Sequence, residues 1–190
     1  MLDLGTSFFT STEKSPKTIA IAEIDNEINY AEWFKEIDKL CGGLKSIGLS
    51  SKDRVITLLQ NNIEAATIHW ACQITGLTIV PLNWRMKSEE IEFCISDSDT
   101  KCIIYQEESY LSVKNSITCQ NLINIFVGKA KKDKINFNDL LKNGKSGNGP
   151  TAKSDFLSLI LYTSGTTGKP KGVPRTHFAE RSSAIAHIAQ

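Results

Sequence analysis

The chain has 190 residues, 41% of them hydrophobic and 23% charged, with 22 Lys+Arg against 21 Asp+Glu. This is ordinary for a globular chain and leaves room for one α/β domain with a real core. It contains no run of about eighteen apolar residues that would cross a membrane as a helix, and no aromatic residues interleave its basic stretches as a single-strand nucleic-acid platform needs.

The first fourteen residues, MLDLGTSFFTSTEK, place an acid and no basic cluster ahead of a short apolar patch, which argues against a secretory signal. Ile19 to Ile24 reads as a strand, and Asp25-Asn26 is a turn signal leading to a short return through Ile28. Asn29 is suited to N-cap the next helix, with Glu32 three residues on as its reciprocal partner. Phe34, Ile37, Leu40, Cys41, Leu44 and Ile47 then recur at helical spacing, and Gly48 ends the run. Val55 to Leu59 is expected as a strand, followed by a helix capped by Asn61 or Asn62 and running through Ile74. Thr78 to Leu82 is the next strand. Ser88 opens a helix whose Glu89, Glu90 and Glu92 lie near its positive end. Lys101 to Tyr105 and Ile123 to Val127 complete a set of short apolar strands. Such alternation predicts an α/β fold with a mostly parallel sheet flanked by helices. The stretch Lys142 to Ser154 is rich in Gly, Asn, Ser and Lys and reads as a loop within the domain, because the strand Phe156 to Tyr162 after it must pack on the preceding sheet.

Cys41, Cys72, Cys94, Cys102 and Cys119 form no CxxC pair and are odd in number. Buried, reduced thiols are expected rather than a zinc site, as in a cytoplasmic protein. Trp33, Trp70 and Trp84 read as core or edge aromatics, His69 as a packed helix residue, and Arg85 as the partner of a carboxylate.

The segment with most chemical content is Tyr162 to His177, YTSGTTGKPKGVPRTH. Gly165, Gly168 and Gly172 permit turns that a Cβ resists. Thr163, Ser164, Thr166 and Thr167 offer hydroxyls, and Lys169 and Lys171 bring ammonium charge. Placed between a strand and a helix opening near Phe178, such a loop lets backbone N–H groups converge on phosphate oxygens. It is not a Walker A loop, since Pro170 follows Gly168-Lys169 and Thr163 stands five positions before Gly168. A plain surface loop rich in small residues is the alternative.

The loop resembles the signature of the adenylate-forming superfamily (acyl- and aryl-CoA ligases, luciferases, peptide-synthetase adenylation domains), matching Tyr-Thr-Ser-Gly-Thr-Thr-Gly-x-Pro-Lys-Gly-Val from Tyr162 through Val173. Other stretches carry the same resemblance: Asn29-Tyr30-Ala31-Glu32, then Gly48 with Asp53-Arg54-Val55, then GLTIVPLNWR from Gly76 through Arg85. Together they run from about residue 19 to 177, weakening between about 106 and 153. The whole chain, 1–190, is thereby expected to be the first part of the large N-terminal domain of such an enzyme.

The resemblance implies that a carboxylate attacks the α-phosphate of ATP, held with Mg²⁺, and that a thiol, commonly CoA, then takes the acyl group. It implies that Thr163, Ser164, Gly165, Thr166, Thr167, Gly168 and Lys171 hold the β- and γ-phosphates, with Lys171 supplying the ammonium, Lys169 facing solvent, and His177 a weaker candidate near the substrate. Residues 128–190 carry 11 Lys+Arg against 4 Asp+Glu, where residues 1–127 carry 11 against 17. That excess around the loop favours approach of ATP or CoA, although Lys129 to Lys134 reads as a solvated run. The family's adenine and Mg²⁺ segment, its ribose acid and its C-terminal catalytic lysine would all follow Gln190, so no metal ligand is expected here and the chain alone should not form an adenylate. LNWRMKSEEI, from Leu82 to Ile91, looks more like a fatty- or aryl-acid ligase than a peptide synthetase. The other reading is a non-catalytic remnant, at most a phosphate-binding or scaffolding module.

Overall fold

The computed structural model describes residues 2–23, 26–146, 149–163 and 170–189. Helix α1 (Leu4–Lys14) comes first, then an antiparallel ribbon of β1 (Ile19–Glu23) and β2 (Asn26–Asn29). Next are α2 (Tyr30–Ser46), β3 (Arg54–Leu58), α3 (Ile63–Thr75), β4 (Thr78–Pro81), α4 (Ser88–Ser98) and β5 (Cys102–Tyr105). A 3-10 turn at Glu107–Ser109 leads into α5 (Tyr110–Lys114), α6 (Ile117–Gln120), β6 (Ile123–Phe126), β7 (Ile135–Asn136) and α7 (Phe137–Asn143). The chain closes with β8 (Leu157–Thr163), β9 (Lys171–Thr176) and α8 (His177–Ile188).

Seven of these strands form one sheet in the order β7-β6-β5-β3-β4-β8-β9. Every neighbouring pair is parallel except β8 and β9. The expected mostly parallel α/β sheet is therefore present. Alternate residues of each strand feed opposite faces, as the two-residue period of a strand requires. On β3, Val55 joins a core with Phe8, Ile37, Leu40 and Ile68 beneath α1, α2 and α3, whereas Ile56 and Leu58 join Ile91, Ile95 and Val113 beneath α4 and α5. Cys102 and Ile104 of β5 belong to the first core, Ile103 and Tyr105 to the second. Both faces of the central strands are covered, which is why they read as continuous apolar runs.

The helix starts follow from their caps. Asn29 accepts from the Glu32 N–H at 2.9 Å while the Glu32 carboxylate accepts from the Asn29 N–H, the reciprocal box expected. Asn62, rather than Asn61, caps α3 by accepting from the Ala65 N–H at 2.9 Å. Asp25 of the expected Asp25-Asn26 turn lies outside the described residues. Among the elements not anticipated, three matter here. Asp3 caps α1, accepting from the Thr6 N–H at 2.8 Å, and Phe8 then stacks on Trp70 with ring centroids 4.1 Å apart. Just ahead of the expected Lys142 to Ser154 loop, and overlapping it only at Lys142 and Asn143, Asn136 caps α7 by accepting from the Asn138 N–H, and Phe137 and Leu140 are buried. The third, β9, bears directly on the loop.

Candidate functional site

In a parallel sheet the strands' carboxyl ends share one edge with the amino ends of the helices that follow, where the helix dipole favours anions. Here that edge carries the turns after β3, β4 and β5 and the exit of β8. Hydrogen bonds tie these turns together. Gln106 Oε1 accepts from the Gln60 N–H at 2.9 Å, and the Ser109 hydroxyl contacts the Trp84 carbonyl at 2.9 Å and the Leu58 carbonyl at 3.2 Å. Sequence reasoning singled out neither Gln106 nor Ser109, because a buried polar residue after a strand looks like any other turn residue until its partner, dozens of positions away, is known. Arg85 lies over the Trp84 ring at 4.0 Å, and among the described residues no carboxylate forms an ion pair with it.

The loop at this edge differs from expectation in its setting. It joins two antiparallel strands, β8 and β9, rather than a strand to a helix, and α8 begins only at His177. A helix amino terminus therefore does not abut the loop's far end. The strand was hidden because Lys171-Gly-Val-Pro-Arg-Thr176 contains a glycine and a proline, and β9 is an edge strand, where a residue without an N–H is tolerated.

Ser164, Gly165, Thr166, Thr167 and Gly168 lie outside the described residues, as does Lys169. The two bounding members of the expected set are described. Thr163 and Lys171 face each other as Cα partners at the mouth of the hairpin, and the Thr163 hydroxyl lies 3.5 Å from the Lys171 carbonyl. Both are exposed, and no described residue forms an ion pair with the Lys171 ammonium. The hairpin thus brings a hydroxyl and a cation together at one point of the carboxyl edge.

Beneath that mouth the Tyr162 hydroxyl donates to Asp97 Oδ2 of α4 at 2.6 Å and approaches the Cys94 carbonyl at 3.4 Å. Burial, reinforced by the Asp97 carboxylate, holds the Tyr162 phenol well above its ordinary value, so it stays a donor. Gly172 pairs with Tyr162 across the hairpin. A Cβ there would stand 3.2 Å from Tyr162 Cζ and 3.3 Å from Asp97 Oδ2.

His177 is fully buried against α1, its Nδ1 accepting from the Leu4 N–H at 3.3 Å. The proton of the neutral ring is then on Nε2, which has no partner among the described residues. Burial lowers its pKa from the ordinary value, with Asp3 opposing. On the far side of the sheet a cavity of about 600 Å³ is lined by Leu44, Leu49, Leu77 and Lys45, but the carboxyl ends of α2 and α3 point there and disfavour a phosphate. Among the described residues no group of three His, Cys, Asp or Glu is placed to hold a metal ion, and no helix is long and apolar enough to cross a membrane. All five cysteines are free and buried.

Residues 8–189 match the family described as AMP-binding enzyme. The long-chain-fatty-acid–CoA ligase FadD13 of Mycobacterium tuberculosis is 30% identical, the match covering 97% of this chain and 37% of that protein. A feruloyl-CoA synthase of an Amycolatopsis species is 29% identical over 86% of this chain and 31% of its own length. Among solved structures, the anthranilate CoA ligase AuaEII in complex with anthranoyl-AMP superposes with a TM-score of 0.86 at 20% identity, over 93% of this chain and 35% of that one. The N-terminal domain of FACL13 from Mycobacterium tuberculosis superposes with a TM-score of 0.80 at 26% identity, over 93% and 45%. The chain spans about a third of the length of the curated relatives it matches.

Proposed function

We propose, for a chain that belongs to the AMP-binding enzyme family, that it supplies the phosphate-gripping part of an ATP-dependent carboxylic acid:CoA ligase. The observation that carries this reading is the hairpin mouth, where the family's signature loop leaves Thr163 and returns at Lys171 with its ammonium in solvent. In the reaction proposed, a carboxylate oxygen attacks the α-phosphorus of ATP and the bond to the β-phosphate oxygen breaks, so charge develops on departing pyrophosphate. A thiol sulfur, that of CoA, then attacks the acyl carbon of the adenylate, and AMP leaves. Donors fixed before the reaction stabilise such developing charge because they need not reorganise during it.

Within that scheme Lys171 and Thr163, with the backbone and hydroxyls of residues 164–168, hold the β- and γ-phosphates. Magnesium would neutralise the phosphates, but the described residues offer no carboxylate cluster for it. Adenine, ribose and acid recognition, and the acid's identity as aliphatic or aromatic, belong to the part of the relatives' length that this chain does not span. Five buried thiols suit a reducing compartment such as the cytoplasm.

Calorimetric titration of the 190-residue chain tests the grip directly. Tripolyphosphate and ATP should bind comparably and adenosine should not. Lys171→Ala should remove a charged contact of about 1.5–3 kcal/mol without lowering the melting temperature. Acid-dependent pyrophosphate exchange should be absent from the chain alone. Equal binding of adenosine and ATP, or unchanged affinity in Lys171→Ala, would remove the loop from this role and leave the non-catalytic scaffold reading.

A further inference from the structure

We propose that Tyr162 and Asp97 are positioning residues, forming a clasp through the gap at Gly172 that fixes the two ends of the phosphate loop relative to each other. This rests on the reading of that loop as a polyphosphate cradle. The loop's anchors, Thr163 and Lys171, are the immediate neighbours of Tyr162 and Gly172, and Tyr162 and Gly172 are themselves cross-strand partners. Side chains of directly opposed residues lie on one face of an antiparallel pair. The phenol therefore passes over Gly172 to reach Asp97 on α4, with its hydroxyl 2.6 Å from the carboxylate. A methyl group at Gly172 would meet both members of the bond, the ring at 3.2 Å and the carboxylate at 3.3 Å. One glycine thus lets a single hydrogen bond pin β8 and close over β9.

Global stability does not account for this contact. Asp97 is exposed and Tyr162 half-buried, beside a cleft of about 310 Å³ that also touches Ile160, Gly172 and Pro174. A bond so open to water adds little to the fold. Its leverage lies in its place, one residue from each end of the loop.

Electrostatics gives the inference a distinctive sign. Asp97 carries a negative charge, one phenol's reach from the hairpin that bears the site proposed for a polyanion, so Coulomb repulsion alone predicts that removing it tightens phosphate binding. The clasp predicts the reverse. With tripolyphosphate as probe and the full 190-residue chain, Tyr162→Phe and Asp97→Ala should each weaken binding roughly tenfold. The double variant should be no weaker than either alone, since both remove the same bond. Asp97→Asn keeps an acceptor and sheds the charge, so it should bind at least as tightly as the native chain. Melting temperatures should not change, nor should the salt dependence of binding in Tyr162→Phe, which removes no charge, whereas amide exchange at Thr163 and Lys171 should quicken in the two weakened variants. Native-like affinity in Tyr162→Phe and Asp97→Ala, tighter binding in Asp97→Ala, or losses that track melting temperature would overturn the clasp while leaving the loop's role standing. Failure of the native chain to bind tripolyphosphate would overturn the loop reading and the clasp with it.

Discussion

His177 closes the signature stretch in sequence, yet its ring is enclosed against the first turn of α1, which approaches from 173 positions away. No local pattern announces such a neighbour, so the sequence suggests a residue near the substrate and gives no hint of α1. The consequence is a pH dependence with a definite sign. Burial holds the folded-state pKa below the ordinary 6.5, so the unfolded chain takes up the proton more readily. The stabilisation is complete above 6.5 and drains away as pH falls through the depressed folded value. His69 is shifted in the same direction by burial and adds to the effect. Melting temperature should therefore fall on acidification from neutral pH, and His177→Gln should flatten that slope even if it lowers every point. An unaltered slope would contradict this assignment. At the same scale, the role proposed for Lys171 rests on order within a short motif, whereas its place opposite Thr163 depends on β9, which the motif did not announce. Tyr162 was legible only as part of that motif, since nothing in the sequence joins it to Asp97.

Among the elements, α2 was the most readable because everything that defines it is local: a reciprocal cap at Asn29 and Glu32, and apolar residues at helical spacing. Trp33 shares its buried face, donating from Nε1 to Thr67 Oγ1 at 2.9 Å, while Phe34 and Ile47 are only partly covered. Asn29→Ala should cost about 1 kcal/mol, measurable as a shift in the urea midpoint without change of slope. The elements that escaped notice, β9 and α7, are defined by what they pack against. β9 is a strand because β8 pairs with it over six partner positions, a context that overrides its glycine and proline. α7 and the turn after it lie where α2 is bare: a Cβ at Gly43 would fall 2.8 Å from the Leu140 carbonyl of α7, and one at Gly42 would fall 1.8 Å from the Lys145 carbonyl just beyond it. Gly43→Ala must therefore push α7 away, at a cost of about 1–3 kcal/mol. Faster amide exchange confined to residues 137–143 would identify the site of that loss.

Across the whole molecule, coverage is uneven. The central strands are sealed on both faces, but Leu161 and Val173, directly opposed on β8 and β9, are 42% and 40% exposed, and Ile188 near the end of α8 is 85% exposed. Exposed apolar pairs such as Leu161 and Val173 promote association when they form part of a larger patch. Sedimentation should show mass rising with concentration, and the double substitution Leu161→Thr, Val173→Thr should suppress the rise. Concentration-independent sedimentation of the native chain would refute the idea. How far such association can go is set by the margins of the sheet. One margin, β7, is only two residues long, and the other, β9, interrupts its ladder with Pro174 between Lys171 and Arg175. Neither offers the long uncharged row of amides on which strands add indefinitely. Copies that meet through their greasy flanks should stop at small, countable assemblies, and fibril-seeking dyes should stay dark.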